Sequence, residues 1–385
     1  MAAEAAAASP LRRPDRDRTG PRRARWAGLA LLGLLAAGLW LAGPGQPVPG
    51  QGWTPPANPE GSGVYTRNSR LAAIERLAAG EAPGPETVRV ADGQLYAGLA
   101  DRRMLRLELD GSRPTAISLA PGRPLGFART LETGFVIAAG DQGLGYAIRS
   151  KRRGILAGEV QGEPLRAVTD VAVTAEGWVY YTEASRRHPT DQAYEALVGQ
   201  AADGRLLRYH ATQGGPSEVL LEGLRYPGAL SLSADRQSLL ISETGAYRLR
   251  RLWLAGPRAG QSEIWVEGLP GYPDGLSPRP GGGYWLALYA PRHWLIDRAA
   301  AHDGLRRLLL RLPSGLQPRP AQRAQVLALD EQGRVLESLE DRTASAYAPI
   351  SSVVEHEGWL YLGSPSQDGI GRLRLSPAPA AAPAS

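Results

Sequence analysis

The sequence predicts an all-β fold, a six-bladed β-propeller preceded by a single N-terminal transmembrane helix, on three observations. First, residues 226–287 carry one pattern twice: an apolar turn with Pro and Gly, a strand-like run, a polar turn and a second apolar strand. The copies begin at Pro227-Gly228-Ala229-Leu230 and Pro273-Asp274-Gly275-Leu276, and the strands alternate with the two-residue period of a half-buried sheet. Second, a spacing of roughly 40–50 residues with four short strands per repeat marks a propeller blade. Third, residues 26–43 are an uncharged apolar run directly behind a cluster of arginines.

In chain order, residues 1–25 hold Arg12, Arg13, Arg16, Arg18, Arg22, Arg23 and Arg25 and read as a cytoplasmic tail. Residues 26–43 are just long enough to span a bilayer, with Trp26 and Trp40 at the two interfaces. They read as a signal-anchor, with a cleaved signal peptide as the rival reading. Residues 44–63 form a Pro/Gly linker. Residues 68–79 predict a short amphipathic helix, with Asn68 or Ser69 as N-cap and Leu71, Ile74 and Leu77 on one face.

Strand units then follow across 64–376. The first has a hairpin turn at Ala91-Asp92-Gly93. The second spans 123–149, and the third starts at 168 and resumes after a polar insertion at Gly204. The fourth and fifth are the two copies above. Residues 298–339 read as the rest of the fifth unit, a loop-rich insertion and the opening strands of a sixth, which ends near 375. The Pro/Ala-rich tail 377–385 reads as disordered.

The bulk properties exclude several classes. Without cysteine there is no disulfide framework and no thiolate chemistry. The net charge of +6 and pI near 9.7 come largely from the N-terminal arginines, so no nucleic-acid partner is implied. Lys151 is the only lysine, a bias that with the abundance of Ala, Arg, Gly and Pro points to a GC-rich coding sequence. There is no phosphate-binding glycine loop, no nucleophile elbow and no zinc-type histidine pair.

In a closed propeller the turn that opens each blade faces one mouth of the central channel. Those turns contribute Glu86, Leu125, Thr169-Asp170, Pro227-Gly228, Pro273-Asp274 and Ile350-Ser351. Glu86, Asp170 and Asp274 are then carboxylates from distant positions gathered near one axis. Such a ring attracts calcium or another hard divalent cation if other oxygens complete six to eight ligands. The alternative is that these acids cap turns by accepting backbone N–H groups. His356, between Glu355 and Glu357, reads as a locally paired residue, and Glu243 as a buried carboxylate paired with Arg248 or Arg251.

Seven segments in one order carry a family resemblance: GRPLGFA (122–128), TDVAVTAEGWVYYTEAS (169–185), ADGRLLRY (202–209), SETGAYRLRRLWLAGPRAG (242–260), LPGYPDGL (269–276), GGGYWLAL (281–288) and VVEHEGWLYLGS (353–364). Over about residues 64–376 the chain resembles the strictosidine synthase-like family, in particular its animal and bacterial branch, which begins with a cytoplasmic tail and one membrane anchor. The resemblance implies a six-bladed propeller distantly similar to gluconolactonases and paraoxonases, which hold a divalent metal in the channel and hydrolyse lactones and esters. It implies metal ligation by Glu86 (in GPE) and Asp274 (in YPDG), with Asp170 beside them. Where those relatives carry asparagine, this chain has Thr169 and Gly228, which thins the ligand set. Gly275 likewise departs from the family pattern. The plant condensing enzymes place a catalytic glutamate where Ser351 stands, and a serine hydroxyl is no general base at neutral pH. Alkaloid condensation is therefore not expected.

The expectation is a bacterial single-pass inner-membrane protein with a periplasmic propeller that hydrolyses small esters or lactones with a divalent cation, membrane contact being through the N-terminal helix. Thr169, Gly228, Ser351 and His293, the last from the APRHW insertion, are the expected substrate-contacting residues. The alternative expectation is a non-catalytic propeller that binds a small molecule or a partner protein at the same mouth.

Overall fold

A computed structural model of the chain describes residues 50–130, 134–148 and 152–375. The expected tail and anchor over 1–43, the tail 377–385 and the first part of the linker lie outside these residues. The described chain forms six four-stranded antiparallel sheets and one two-stranded hairpin, Glu159–Val160 with Glu163–Pro164. Each four-stranded sheet is a blade, with strands lettered a to d from the first in sequence outward. Strand a runs Thr87–Ala91, Gly126–Arg129, Val168–Val173, Pro227–Leu232, Gly271–Pro278 and Ser352–His356 in blades 1 to 6. The a strands of successive blades pack on each other from blade 2 through blade 6 and back to blade 1, and so line the axis.

Apolar alternation builds the rest. Among the described residues the buried side chains of the blades sort into six clusters, one for each blade-to-blade interface, and a seventh lies in the insertions. Tyr96 and Met104 of blade 1 meet Phe127 and Phe135 of blade 2, and Leu240 and Leu249 of blade 4 meet Leu286 and Leu327 of blade 5. A sheet that is apolar on both faces must bury both, and a ring of blades does so without a separate core. The hairpin at Asp92-Gly93 forms as expected, both residues having the positive φ that the tight turn needs.

Three readings are corrected. Residues 68–79 are not a helix: Glu75–Leu77 is a strand that pairs with Ile370–Arg374 and becomes strand d of blade 6. A three-turn surface helix would leave the outer edge of the last blade unpaired, whereas a strand satisfies it. Asn68, expected as an N-cap, instead clamps blade 5, donating from Nδ2 to Ser338 O at 2.9 Å and accepting from Glu340 N at 3.0 Å. Ala324–Leu329 and Val335–Asp341, read as opening the sixth unit, are strands c and d of blade 5. The insertion before them is helical rather than loop-rich.

Two insertions build a cap. Helix α1 (Ala193–Gly199) lies between strands b and c of blade 3, and α2 (Trp294–Ala300) and α3 (Asp303–Arg311) lie between strands b and c of blade 5. Strand a runs away from the mouth where it starts and strand b returns to it, so both insertions emerge at that mouth. The helices join through Val198, Ile296, Ala299 and Leu309. Residues 50–60 lie against them: Trp53 N donates to Ala300 O at 3.1 Å, Arg306 to Gly50 O at 3.1 Å and Arg292 to Pro56 O at 2.8 Å.

Candidate active site at the capped mouth

The inner strands are irregular where they open the channel. Register shifts fall between Val168 and Asp170, between Pro227 and Leu230, and on both sides of Pro273. A bulge re-aims a side chain that a regular ladder would send into a blade interface. The turns of all six blades meet around a cavity of only about 20 Å³, room for roughly one water. Thr87, Leu125, Thr169, Asp170, Gly228, Asp274 and Ser351 line it, so the sequence's convergent turns do converge.

Most of these groups tie blade to blade. Thr169 Oγ1 donates to Pro227 O at 2.9 Å, with Gly228 O at 3.2 Å and Thr182 Oγ1 at 3.0 Å also in reach. Thr244 Oγ1 donates to Pro273 O at 2.7 Å, and Ser351 Oγ to Glu86 O at 2.6 Å. Thr87 Oγ1 donates to Leu125 O. Where no hydroxyl serves, glycine allows close approach: a Cβ on Gly126 would lie 2.2 Å from Asp170 Oδ1, and one on Gly275 2.4 Å from Ser351 O. Gly228 is hemmed in by Thr244 Oγ1 and Ser242 Oγ, with Asp274 Oδ1 at 3.2 Å from the place of a Cβ.

The three axial acids have three different environments. Asp170 is 4 % exposed and fully engaged: Oδ1 accepts Val171 N–H at 2.8 Å, Oδ2 accepts Leu230 N–H at 2.9 Å, and Arg89 lies 3.5 Å away. Burial nevertheless raises its pKa, against the pull of Arg89 and the two amides. Glu86 accepts from Arg123 Nη2 at 2.6 Å, and burial again outweighs the guanidinium and lifts its pKa. Asp274 has no hydrogen bond or ion pair among the described residues. Its carboxyl keeps some solvent contact yet is enclosed by protein, and its pKa is raised well above the ordinary value, first by desolvation and then by Glu86 and Asp170. The same charges reach two phenols: Tyr289 is pushed up to about 12 by burial, Glu86 and Asp274, and Tyr226 is raised by burial and Asp274.

His293 caps α2, its Nδ1 accepting Leu295 N–H at 3.2 Å, so that nitrogen is occupied. His356 closes strand a of blade 6 at the opposite end of the channel, 3.9 Å from Glu357. Glu243 binds Arg248 as expected and Arg250 rather than Arg251, and it also accepts Arg225 N–H. Glu183 repeats this in blade 3, accepting from Arg205 and Arg166 N. Sequence reasoning missed Tyr226, Tyr289, Arg89 and Arg123 at the axis. Their signal was position: Tyr226 and Arg123 stand just before the strand a turns, and Arg89 is the second residue inward on strand a of blade 1 after Thr87.

As a calcium site the donor set does not fit. Both Asp170 oxygens and the Thr169 hydroxyl are spent on the fold, Gly228 has no side chain, and Arg123 holds Glu86. Among the described residues no cluster of three or more His, Cys, Asp or Glu is arranged to hold a metal ion.

Comparison with known proteins gives the fold and the lineage. Residues 169–257 match the family described as strictosidine synthase, and residues 63–107 match that described as strictosidine synthase-like, N-terminal. The chain is 31 % identical over 342 residues to adipocyte plasma membrane-associated protein of Salmo salar, covering 82 % of this chain and 81 % of that one. It is also 31 % identical over 313 residues to protein strictosidine synthase-like 10 of Arabidopsis thaliana, covering 74 % and 83 %. Among solved structures, a gluconolactonase from Xanthomonas campestris superposes with a TM-score of 0.56 at 17 % identity, over 80 % of this chain and 92 % of that one. Regucalcin from Agrobacterium tumefaciens, described as a calcium-binding protein, gives 0.52 at 16 %, over 80 % and 94 %. These relations correct the expected location. The relatives named above are an animal and a plant protein, so a bacterial inner-membrane protein is not supported. Among the described residues, which do not include 26–43, no helix is long and apolar enough to cross a membrane. On the sequence identity and coverage, with the six-bladed ring beside them, the chain belongs to the strictosidine synthase-like family.

Proposed function

We propose that the capped mouth binds small esters or lactones and hydrolyses them, with Asp274 as the general base. The observation that carries this reading is Asp274 itself, a half-buried axial carboxylate with a raised pKa and no ion-pair partner among the described residues. A carboxylate moved toward neutrality is a better proton acceptor than an ordinary aspartate, and such groups cluster at functional sites. Ionised Asp274 takes a proton from water as the water oxygen attacks the carbonyl carbon, and gives it to the alkoxide oxygen as the tetrahedral intermediate collapses and the acyl C–O bond breaks, leaving acid and alcohol. Half-buried Tyr226 and Tyr289, the latter 40 % exposed, have phenol pKa values raised by partial desolvation and by the neighbouring carboxylates, and are hydrogen-bond donors available to the carbonyl oxygen. Helices α1 to α3 limit access of bulk water to the mouth. No step runs through a cation, because the donors that would hold one are engaged.

A second reading, binding without turnover, is favoured by the pairing of Arg123 with Glu86 and by the backbone amides that engage both oxygens of Asp170, which uses these axial charges to hold the ring together. The test is hydrolysis of aryl acetates and of five- and six-membered lactones by the full chain, with calcium and with a chelator. Under the first reading turnover is insensitive to both additions, and Asp274→Asn lowers kcat/KM by about 10²-fold or more. Absence of turnover together with a ligand-induced rise in Tm that is lost in Asp274→Asn supports the second reading.

A further inference from the structure

The a strands that bring the acids to one mouth end at the other, where a separate cavity of about 380 Å³ opens. That is within the size range of small-molecule sites. Its walls come from all six blades and are largely apolar, with Phe127, Val173, Leu232, Leu276 and Val354 among them. Two cations reach it. Arg129 is committed, pairing with Asp92 and stacking on Tyr96 at 5.7 Å. Arg89 is not: its nearest carboxylate oxygen, Asp170 Oδ1, is 3.5 Å away and already accepts the Val171 amide, and its other contact is a long 3.5 Å bond from Nη1 to Val88 O. A guanidinium has five donors in a planar fork, so most of this one's capacity is unused. Ser277, 5 % exposed, lines the same cavity, and its Oγ is buried with no hydrogen-bond partner.

We propose that this second mouth is a binding site for a monocarboxylate with an apolar body, the alkyl chain lying against the inner strands and the carboxylate received by Arg89, with Ser277 Oγ as a further donor. An apolar wall with a weakly paired guanidinium at its inner end suits an amphipathic acid. It does not suit inorganic phosphate, which would lose its hydration on three sides and gain one cation. Arg89 also borders the axial cavity, so it forms the floor between the two mouths. The proposal does not rest on the hydrolytic reading, although Arg89 and Asp274 both line the small axial cavity.

The experiment is calorimetric titration of the full chain with sodium octanoate, with octanol and inorganic phosphate as probes lacking one or the other half of the ligand. One octanoate per chain is expected, with octanol at least tenfold weaker and no heat from phosphate. Arg89→Met should weaken octanoate at least tenfold. Ala128→Trp, which fills the cavity from a half-buried wall position and leaves Arg89 and Asp170 in place, should abolish binding even if Arg89→Met fails to fold. Equal binding by the wild type and Ala128→Trp, equal affinity for octanol and octanoate, or no binding to the folded wild type would each overturn the proposal.

Discussion

Asp274 is the residue on which the chemistry turns, and its raised pKa makes a prediction about stability as well as rate. An aspartate titrates near 3.9 in an unfolded chain, and the fold moves Asp274 well above its ordinary value. The stability linked to this group is therefore fully present below the unfolded pKa and is lost as the pH rises through the folded one. Asp274→Asn keeps the shape and removes the charge. It should melt above the wild type at about pH 8, with the difference shrinking as the pH falls toward about 4, where the folded Asp274 is neutral like the asparagine. Thermal melts of the two proteins across that range check this, and parallel curves would show that the carboxylate is not destabilised. If Asp274 is also the general base, hydrolysis rises over the pH interval in which stability falls. The identity of this residue was legible in YPDG; its isolation was not. Its field comes from Glu86 and Asp170, 188 and 104 positions away, and no local pattern reports that the second of these has both oxygens engaged by backbone amides.

At the scale of elements, strand periodicity and turn chemistry were legible wherever they are local. The Asp92-Gly93 hairpin falls where its residues place it, whereas Pro227 and Pro273, read as turns, lie in inner strands whose register shifts beside them. What could not be read was which edge a short segment would serve. Leu71, Ile74 and Leu77 suit a helical face as well as a strand, and only the open edge of blade 6 decides between them. The cap was missed for a related reason: α3 is amphipathic, but the apolar surface it covers is supplied by α1, more than a hundred residues earlier. The cap also depends on the segment before it. Trp53 packs 6.4 Å from Tyr247 and under Arg225, and its Nε1 donates to Gln200, which terminates α1. Trp53→Ala should cost about 1 kcal/mol through the aromatic pair alone. Its larger effect should be local, with faster proteolytic cleavage within 292–323 and a raised KM at little change in kcat. Cleavage and KM both at wild-type values would mean that the segment merely lies on the cap.

For the whole molecule the decisive contact is the one that closes the ring. Blade 6 takes three strands from the end of the propeller and its fourth, Glu75–Leu77, from the beginning, with Leu77 opposite Ile370 and Arg76 opposite Gly371. Every other blade is continuous in sequence, so this short strand joins the ends of a circular array whose interfaces are otherwise alike. Leu77 is 7 % exposed and packs with Ala82, Val88 and Leu107 between blades 6 and 1. Leu77→Ala should cost about 2–5 kcal/mol, the range for a buried leucine. If the ring unfolds as one unit, the urea midpoint falls by that amount with the slope unchanged, because the surface exposed on unfolding is the same. If blade 6 can open alone, hydrogen exchange at Ile370–Arg374 accelerates while the midpoint stays near the wild-type value. The first outcome is expected. An opened blade 6 would expose apolar surface on both faces and an unpaired edge, and its inner strand is tied to blade 1 by the Ser351–Glu86 and Val88–Ser352 hydrogen bonds at the axis. Closure and the candidate site thus share residues: the hydroxyl of Ser351 fastens the last blade to the backbone of Glu86, and loosening the outer strand should be felt at the carboxylates.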